Sequence, residues 1–236
     1  MDIAEKLVKI AENVPRVYQS GKDNKSNEFW DAIVDGGNKT YYRQTFQGSR
    51  WNDELFTPKS IIQATDVQSM FSGCAIVDGY KISDYVNFSK AKDVSSTFAN
   101  STIQRIGVLD FSSSLSLYRA FWGCNHLVSI EKIKVNNGNC NMAETFDGCR
   151  ALIDIAFEGT LGRTFSLKDS SSLSKESIQN IFEHLSTTES GKALTLSKAA
   201  VNKAFGINVD DETTYPEGSE YYILRHSRDN WTVSYG

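Results

Sequence analysis

The feature that most constrains this chain is a phenylalanine that returns about every 25 residues, each time in the form x-Phe-x-(Gly/Asn)-(Cys/Ser). The copies are Thr45-Phe46-Gln47-Gly48-Ser49, Met70-Phe71-Ser72-Gly73-Cys74, Thr97-Phe98-Ala99-Asn100-Ser101, Ala120-Phe121-Trp122-Gly123-Cys124 and Thr145-Phe146-Asp147-Gly148-Cys149. Their phenylalanines lie 25, 27, 23 and 25 residues apart. Leu127 and Ile130 follow Phe121 by six and nine residues, and Leu152 and Ile155 follow Phe146 by the same steps. In the third copy Ile103 and Ile106 follow Phe98 by five and eight. Such a unit has too few apolar positions to bury its own face, so it predicts stacked copies with a shared core, a solenoid.

The residue two after each phenylalanine is Gly four times and Asn once, the types that most readily adopt positive φ, which predicts a tight turn there. Cys74, Cys124 and Cys149 share one register with Ser49 and Ser101. Serine at the same place keeps the packing and abolishes thiol chemistry, so a small buried ladder is expected rather than a metal or disulfide site. Cys140 falls outside the register. No C-x-x-C spacing occurs, so neither zinc nor a redox motif is indicated, and reduced thiols are expected.

Different patterns flank the repeats. Ile3, Leu7, Ile10, Val14 and Val17 form an apolar helical stripe that Pro15 interrupts, and a second helix is predicted around Phe29, Trp30 and Ile33. The stripe reads as a docking face on the protein's own body, with a seam between subunits, and hence a homo-oligomer, as the alternative. Beyond the repeats, Ser171–Leu185 predicts a Ser-capped amphipathic helix with apolar positions 178, 181, 182 and 185. Ala193–Ser197 alternates like a strand, Ala199–Phe205 reads as a short helix, and Tyr221–Leu224 and Asn230–Tyr235 both read as strands.

Composition narrows the function classes. A chain of 236 residues with 40% hydrophobic, 11% aromatic and 23% charged residues is too apolar for intrinsic disorder. A net charge of −4 without a Lys/Arg cluster argues against a nucleic-acid partner. The segment Met1–Lys6 is no secretory leader and no window approaches a membrane span, so synthesis in a cytoplasm is expected.

The repeat and its flanks resemble the BspA-like leucine-rich repeats, whose units carry Phe-x-x-Cys-x-x-Leu-x-x-Ile. The wider layout resembles proteins encoded in prophage tail regions of gut Firmicutes. The matches are residues 3–7, Phe29-Trp30-Asp31, Leu173–Ile178, Leu194–Ser197 and Asn230–Thr232. The resemblance implies an α/β leucine-rich-repeat solenoid of about five coils of about 25 residues, with a helical N-terminal segment and an α+β C-terminal cap. It divides the chain into a cap or oligomerisation segment at 1–36, repeats at 37–165 and a C-terminal cap at 166–236. It also implies adhesion or protein binding, with virion association as one setting, and supplies no catalytic residue.

No enzyme motif contradicts a binding role. His126, His184 and His226 lack ligand-like neighbours, and no nucleophile elbow, Walker loop, zinc helix or dinucleotide fingerprint appears. Paired carboxylates for a hydrolase could come from any of the 29 acidic residues. Asp210-Asp211-Glu212 lacks the alternating ligands of a calcium loop, and the Asn-x-Ser/Thr sequons at Asn38, Asn87, Asn100 and Asn230 fit no secretory context. The expected chain is non-enzymatic, without cofactor or metal. Its candidate binding face comprises Tyr41, Tyr42, Trp51, Tyr80, Tyr85, Tyr118 and Trp122, aromatics outside the phenylalanine register that either anchor a protein or glycan ligand or cover the core.

Overall fold

The structure is a computed structural model that describes residues 42–48, 50–51, 62–76, 78–136 and 138–236. The Ile3–Val17 stripe, the Phe29–Ile33 segment and Tyr41 lie outside the described residues.

Each phenylalanine sits at the middle of a tight turn whose N–H groups alternate between two kinds of acceptor. In the second unit Met70 N donates to Val67 O (3.0 Å) and Ser72 N to Ser69 O (3.2 Å), within the turn. Ser69, Phe71 and Gly73 donate instead to Ser95, Thr97 and Ala99 carbonyls of the next unit, at 2.9, 2.7 and 2.7 Å. Left-handed backbone flanks each ring on both sides and turns the alternate groups outward. It occurs at Gln44, Ser69, Ser96, Arg119 and Glu144 (φ 54–56°) before the ring, and at Gly48, Gly73, Asn100, Gly123 and Gly148 (φ 56–82°) after it.

This geometry stacks the five rings with centroids 5.3, 5.5, 5.4 and 5.6 Å apart and planes within 13° of parallel. Phe46, Phe71, Phe98, Phe121 and Phe146 are all buried, as are Leu127, Ile130, Leu152 and Ile155. Polar side chains inside the stack find backbone acceptors, which lowers the cost of burying them. Thr97 Oγ1 donates to Val94 O (2.6 Å), Thr145 Oγ1 to Met142 O (2.8 Å), Cys124 Sγ to Phe98 O (3.0 Å) and Cys149 Sγ to Phe121 O (3.2 Å).

The strands do not follow the repeat throughout. β1 (Arg50–Trp51) pairs with β3 (Ala75–Ile76), and β2 (Ile62–Gln63) with β4 (Val86–Asn87), each in parallel over two residues. β5 (Arg105–Phe111), β6 (Ser129–Val135) and β7 (Asp154–Glu158) form a three-stranded parallel sheet. β8 (Phe165–Leu167), β9 (Lys192–Leu196) and β10 (Trp231–Tyr235) form a second one, in the order β10-β9-β8.

This overturns the expected leucine-rich-repeat solenoid. Two small three-stranded sheets and two short pairs replace a single ladder running through about five coils. The spacing supplies the physical reason. β1 and β3 begin four residues after Phe46 and Phe71, whereas β5, β6 and β7 begin seven, eight and eight residues after Phe98, Phe121 and Phe146. Early units pair close to the turn and late units further along it, with the isolated bridge from Gly79 to Ile106 joining the second unit to β5.

Four α-helices are described: α1 (Ile82–Tyr85), α2 (Lys175–His184), α3 (Lys198–Phe205) and α4 (Glu220–His226). The Ser174 hydroxyl accepts from Ser177 N (3.3 Å) and caps α2, which buries Ile178, Ile181 and Phe182. The Tyr221–Leu224 stretch, expected as a strand, lies in α4. The Ser219 hydroxyl accepting from Tyr222 N (3.4 Å) starts that helix, and an aromatic run read for its β-propensity had hidden the cap. Among the described residues no helix is long and apolar enough to cross a membrane.

Candidate functional site

Over the outer face of β5–β7 lies an open trough of about 460 Å³. Its near wall is Tyr80. An isolated parallel bridge joins Gly79 to Ile106 in β5, and Gly107 N donates to Tyr80 O (3.1 Å), which seats the turn on the sheet edge. Gly107 has to be glycine for this approach: a Cβ there would stand 2.6 Å from Tyr80 O. Asp78 fixes the turn further, accepting from Tyr80 N (3.1 Å) and from Arg105 Nη2 (2.6 Å). The phenol of Tyr80 then reaches across the sheet to donate to Glu131 Oε2 at 2.6 Å, a bond that, with the Glu131 charge, holds the phenol above its ordinary pKa.

The far wall is α2. Ser174 N donates to Ile153 O (2.8 Å), Ile155 N to Ser177 Oγ (2.9 Å) and Phe157 N to Asn180 Oδ1 (2.7 Å), so the helix closes the free edge of β7 with its side chains. Ser177 and Asn180 are three residues apart and share one helix face, matching the two-residue step between outward N–H groups of the strand. Between the walls, alternation along β6 and β7 lifts Ser129, Glu131, Asp154 and Ala156 into the trough and turns Ile130 and Ile155 into the core. The lining holds three carboxylates, Glu131, Asp154 and Glu176, and no basic side chain.

The described members of the seven sequence-predicted aromatics do not form one face. Tyr80 alone among them lines the trough, and it is 46% exposed. Tyr118 and Trp122 meet on another surface, the Arg119 guanidinium lying 5.0 Å from the first ring centroid and 5.5 Å from the second. Arg119 is held there by Glu144 Oε2, 2.8 Å from its Nε. Tyr42 belongs to the core, and burial pushes its phenol up to about 12. Tyr85 is half-buried against the core, while Tyr41 and the Trp51 side chain lie outside the described residues.

Reading aromatics alone missed Glu131, Asp154, Glu176 and Asn180. Alternation in Ser129–Val135 would have placed Glu131 outward, but that Asn180 meets a strand edge depends on how α2 docks.

The thiols are not reactive groups. All four cysteines are buried thiols, and burial pushes Cys124 up to about 11 and Cys140 to about 12. Among the described residues, no group of three or more His, Cys, Asp or Glu is placed to hold a metal ion. His184 Nδ1 sits 2.8 Å from Gly159 O and His226 Nδ1 2.8 Å from Tyr222 O, each bonded to backbone. Comparison with protein-family models, with curated proteins and with solved structures finds no match for this chain.

Proposed function

We propose that this protein is a non-enzymatic binding module that takes a protein segment or a glycan across the β5–β7 trough. The observation that carries the reading is Tyr80, an exposed ring fixed on both its backbone and its hydroxyl beside an open concavity. A ring held in one place adds contact area to a ligand without losing rotamer freedom on binding. Glu131, Asp154 and Glu176 add hydrogen-bond acceptors around it, the mixture of an apolar anchor and a few oriented polar groups that ligand sites use. A phage-tail or surface-adhesion setting, which the sequence resemblance implies, suits such a module.

The test is a paired screen of the full chain on glycan and peptide arrays, repeated with Tyr80→Ala. The expected result is a reproducible ligand whose binding weakens at least about tenfold in the variant, the equivalent of about 1.4 kcal/mol. Absence of any reproducible ligand, or a ligand indifferent to Tyr80, overturns the reading. Steady release of cleaved product from a bound saccharide would make the protein a hydrolase instead.

A further inference from the structure

The C-terminal cap carries a second concavity of about 460 Å³, between the 3-10 turn Glu212–Thr214 and α4. Its lining differs from that of the trough because it includes a cation, Arg225, and three tyrosines, Tyr215, Tyr222 and Tyr235. Arg43, Arg105, Arg119 and Arg163 each hold a carboxylate. Among the described residues Arg225 makes no such pair, although Glu212 and Glu217 line the same groove. Burial raises the Tyr215 phenol, Tyr235 and Glu212 add to the rise, and the Arg225 charge opposes it.

Next to it stands a fixed flat plate. The Tyr222 and His226 rings stack with centroids 4.0 Å apart and planes 29° from parallel. The imidazole Nδ1 donates to Tyr222 O at 2.8 Å, which fixes the ring against the helix. The floor is braced as well: Tyr215 packs edge-on to Tyr221 at 5.3 Å and its hydroxyl donates to Val209 O (3.3 Å), while Tyr221 and Tyr235 bond hydroxyl to hydroxyl.

We propose that this groove is a second binding site, for a saccharide carrying a carboxylate. Arg225 clamps the carboxylate through its planar fork. The Tyr222–His226 plate packs against the C–H face of the sugar ring, and Glu212 accepts from its hydroxyls. The site is separate from the trough, and neither depends on the other.

The test is saturation-transfer NMR on the full chain with N-acetylneuraminic acid, glucuronic acid and glucose as probes. The expected result is transfer to at least one acidic sugar and none to glucose, a discrimination read on the unaltered protein. Arg225→Gln, with its fold checked by circular dichroism, should weaken acid-sugar binding about tenfold or more, while Tyr80→Ala leaves it unchanged. Equal transfer to glucose, absence of transfer to both acids, or loss through Tyr80→Ala overturns the proposal.

Discussion

The Asp169 carboxylate accepts a hydrogen bond from Gly148 N at 2.8 Å, at the place where every earlier turn bonds to a carbonyl of the unit that follows. Gly123 N, one unit back, donates to Asp147 O. Beyond Phe146 no further phenylalanine turn follows, and a side chain supplies the missing acceptor. Asp169 thus ends the turn stack chemically. Replacing it with Ala leaves a half-buried N–H without its charged acceptor and should cost about 1 to 2 kcal/mol. Asp169→Asn retains an oxygen and should recover most of that. Urea midpoints of the three proteins decide it, and equal midpoints would show that water serves the Gly148 group as well.

Phe98 lies at the centre of the ring stack, 5.5 Å from Phe71 and 5.4 Å from Phe121, with Phe88 edge-on at 6.2 Å. Its Ala variant loses two stacked faces and leaves a cavity that rigid neighbouring turns cannot fill. A loss of about 3 to 5 kcal/mol is expected. Phe98→Leu keeps most of the volume and should lose less than half as much. Equilibrium unfolding followed by tryptophan fluorescence measures both; a loss under about 1 kcal/mol for Ala would mean that the stack collapses onto the gap.

That ring column was legible in the sequence, because an aromatic at a fixed spacing beside Gly or Asn announces a repeated turn. The second left-handed position in each turn was not. Gln44, Ser69, Ser96, Arg119 and Glu144 share no composition, and their φ values near 55° follow from the cross-unit hydrogen bonds rather than from residue type. A side-chain column was available and unread: Asp66, Asp93, Ser116 and Asn141 each accept from the N–H two residues on, at 3.1, 2.9, 3.3 and 3.1 Å. Sheet organisation was illegible for a different reason. Four against seven or eight residues between ring and strand looks like noise in a repeat, yet it separates the two-residue pairs of the early units from the longer sheet of the late ones. The trough inherits this, since its walls are a turn from one unit and a helix from outside the repeats.

Glycines in equivalent places should differ in what they tolerate. At Gly148 (φ +82°) a Cβ would stand 3.1 Å from Gly123 Cα and 3.3 Å from its N, while at Gly73 (φ +64°) nothing lies within 4 Å. Gly73→Ala should therefore cost only the left-handed backbone, about 1 to 2 kcal/mol. Gly148→Ala adds a backbone clash and should be the more damaging by about 1 kcal/mol or more. Thermal melts of the pair test the ranking, and equal losses would mean that neighbouring turns slide apart freely.

Buried thiols give the protein an alkaline weakness. Cys124 and Cys140 are raised from 9.0 to about 11 and about 12 by burial, so the folded state holds their protons more tightly than the unfolded state does. Below pH 9 both states keep the thiols protonated and nothing is lost. Above it the unfolded chain ionises first, so stability falls, by up to about 1.4 kcal/mol per pH unit for each thiol, until the folded values are reached. Urea midpoints should be similar at pH 7 and 8 and clearly lower at pH 10. Cys124→Ser should flatten part of that decline; a slope identical to that of the parent would assign the weakness to other groups.

The edge of β7 is kept from other chains by two side chains of α2. Ser177 Oγ and Asn180 Oδ1 accept from Ile155 N and Phe157 N, so the outward donors of the strand never face water as a bare row. Open strand edges recruit further strands. Ser177→Ala with Asn180→Ala should cost about 2 to 3 kcal/mol for two unsatisfied donors, even if α2 stays docked through Ile178, Ile181 and Phe182. More telling is the expected self-association, visible in light scattering as mass that grows with concentration in the double variant beyond that of the parent chain. Restoring an acceptor at either place alone should reduce it, since one occupied position interrupts the ladder a second chain would need. If the double variant matches the parent at every concentration, the helix backbone shields the edge and the two side chains serve stability alone.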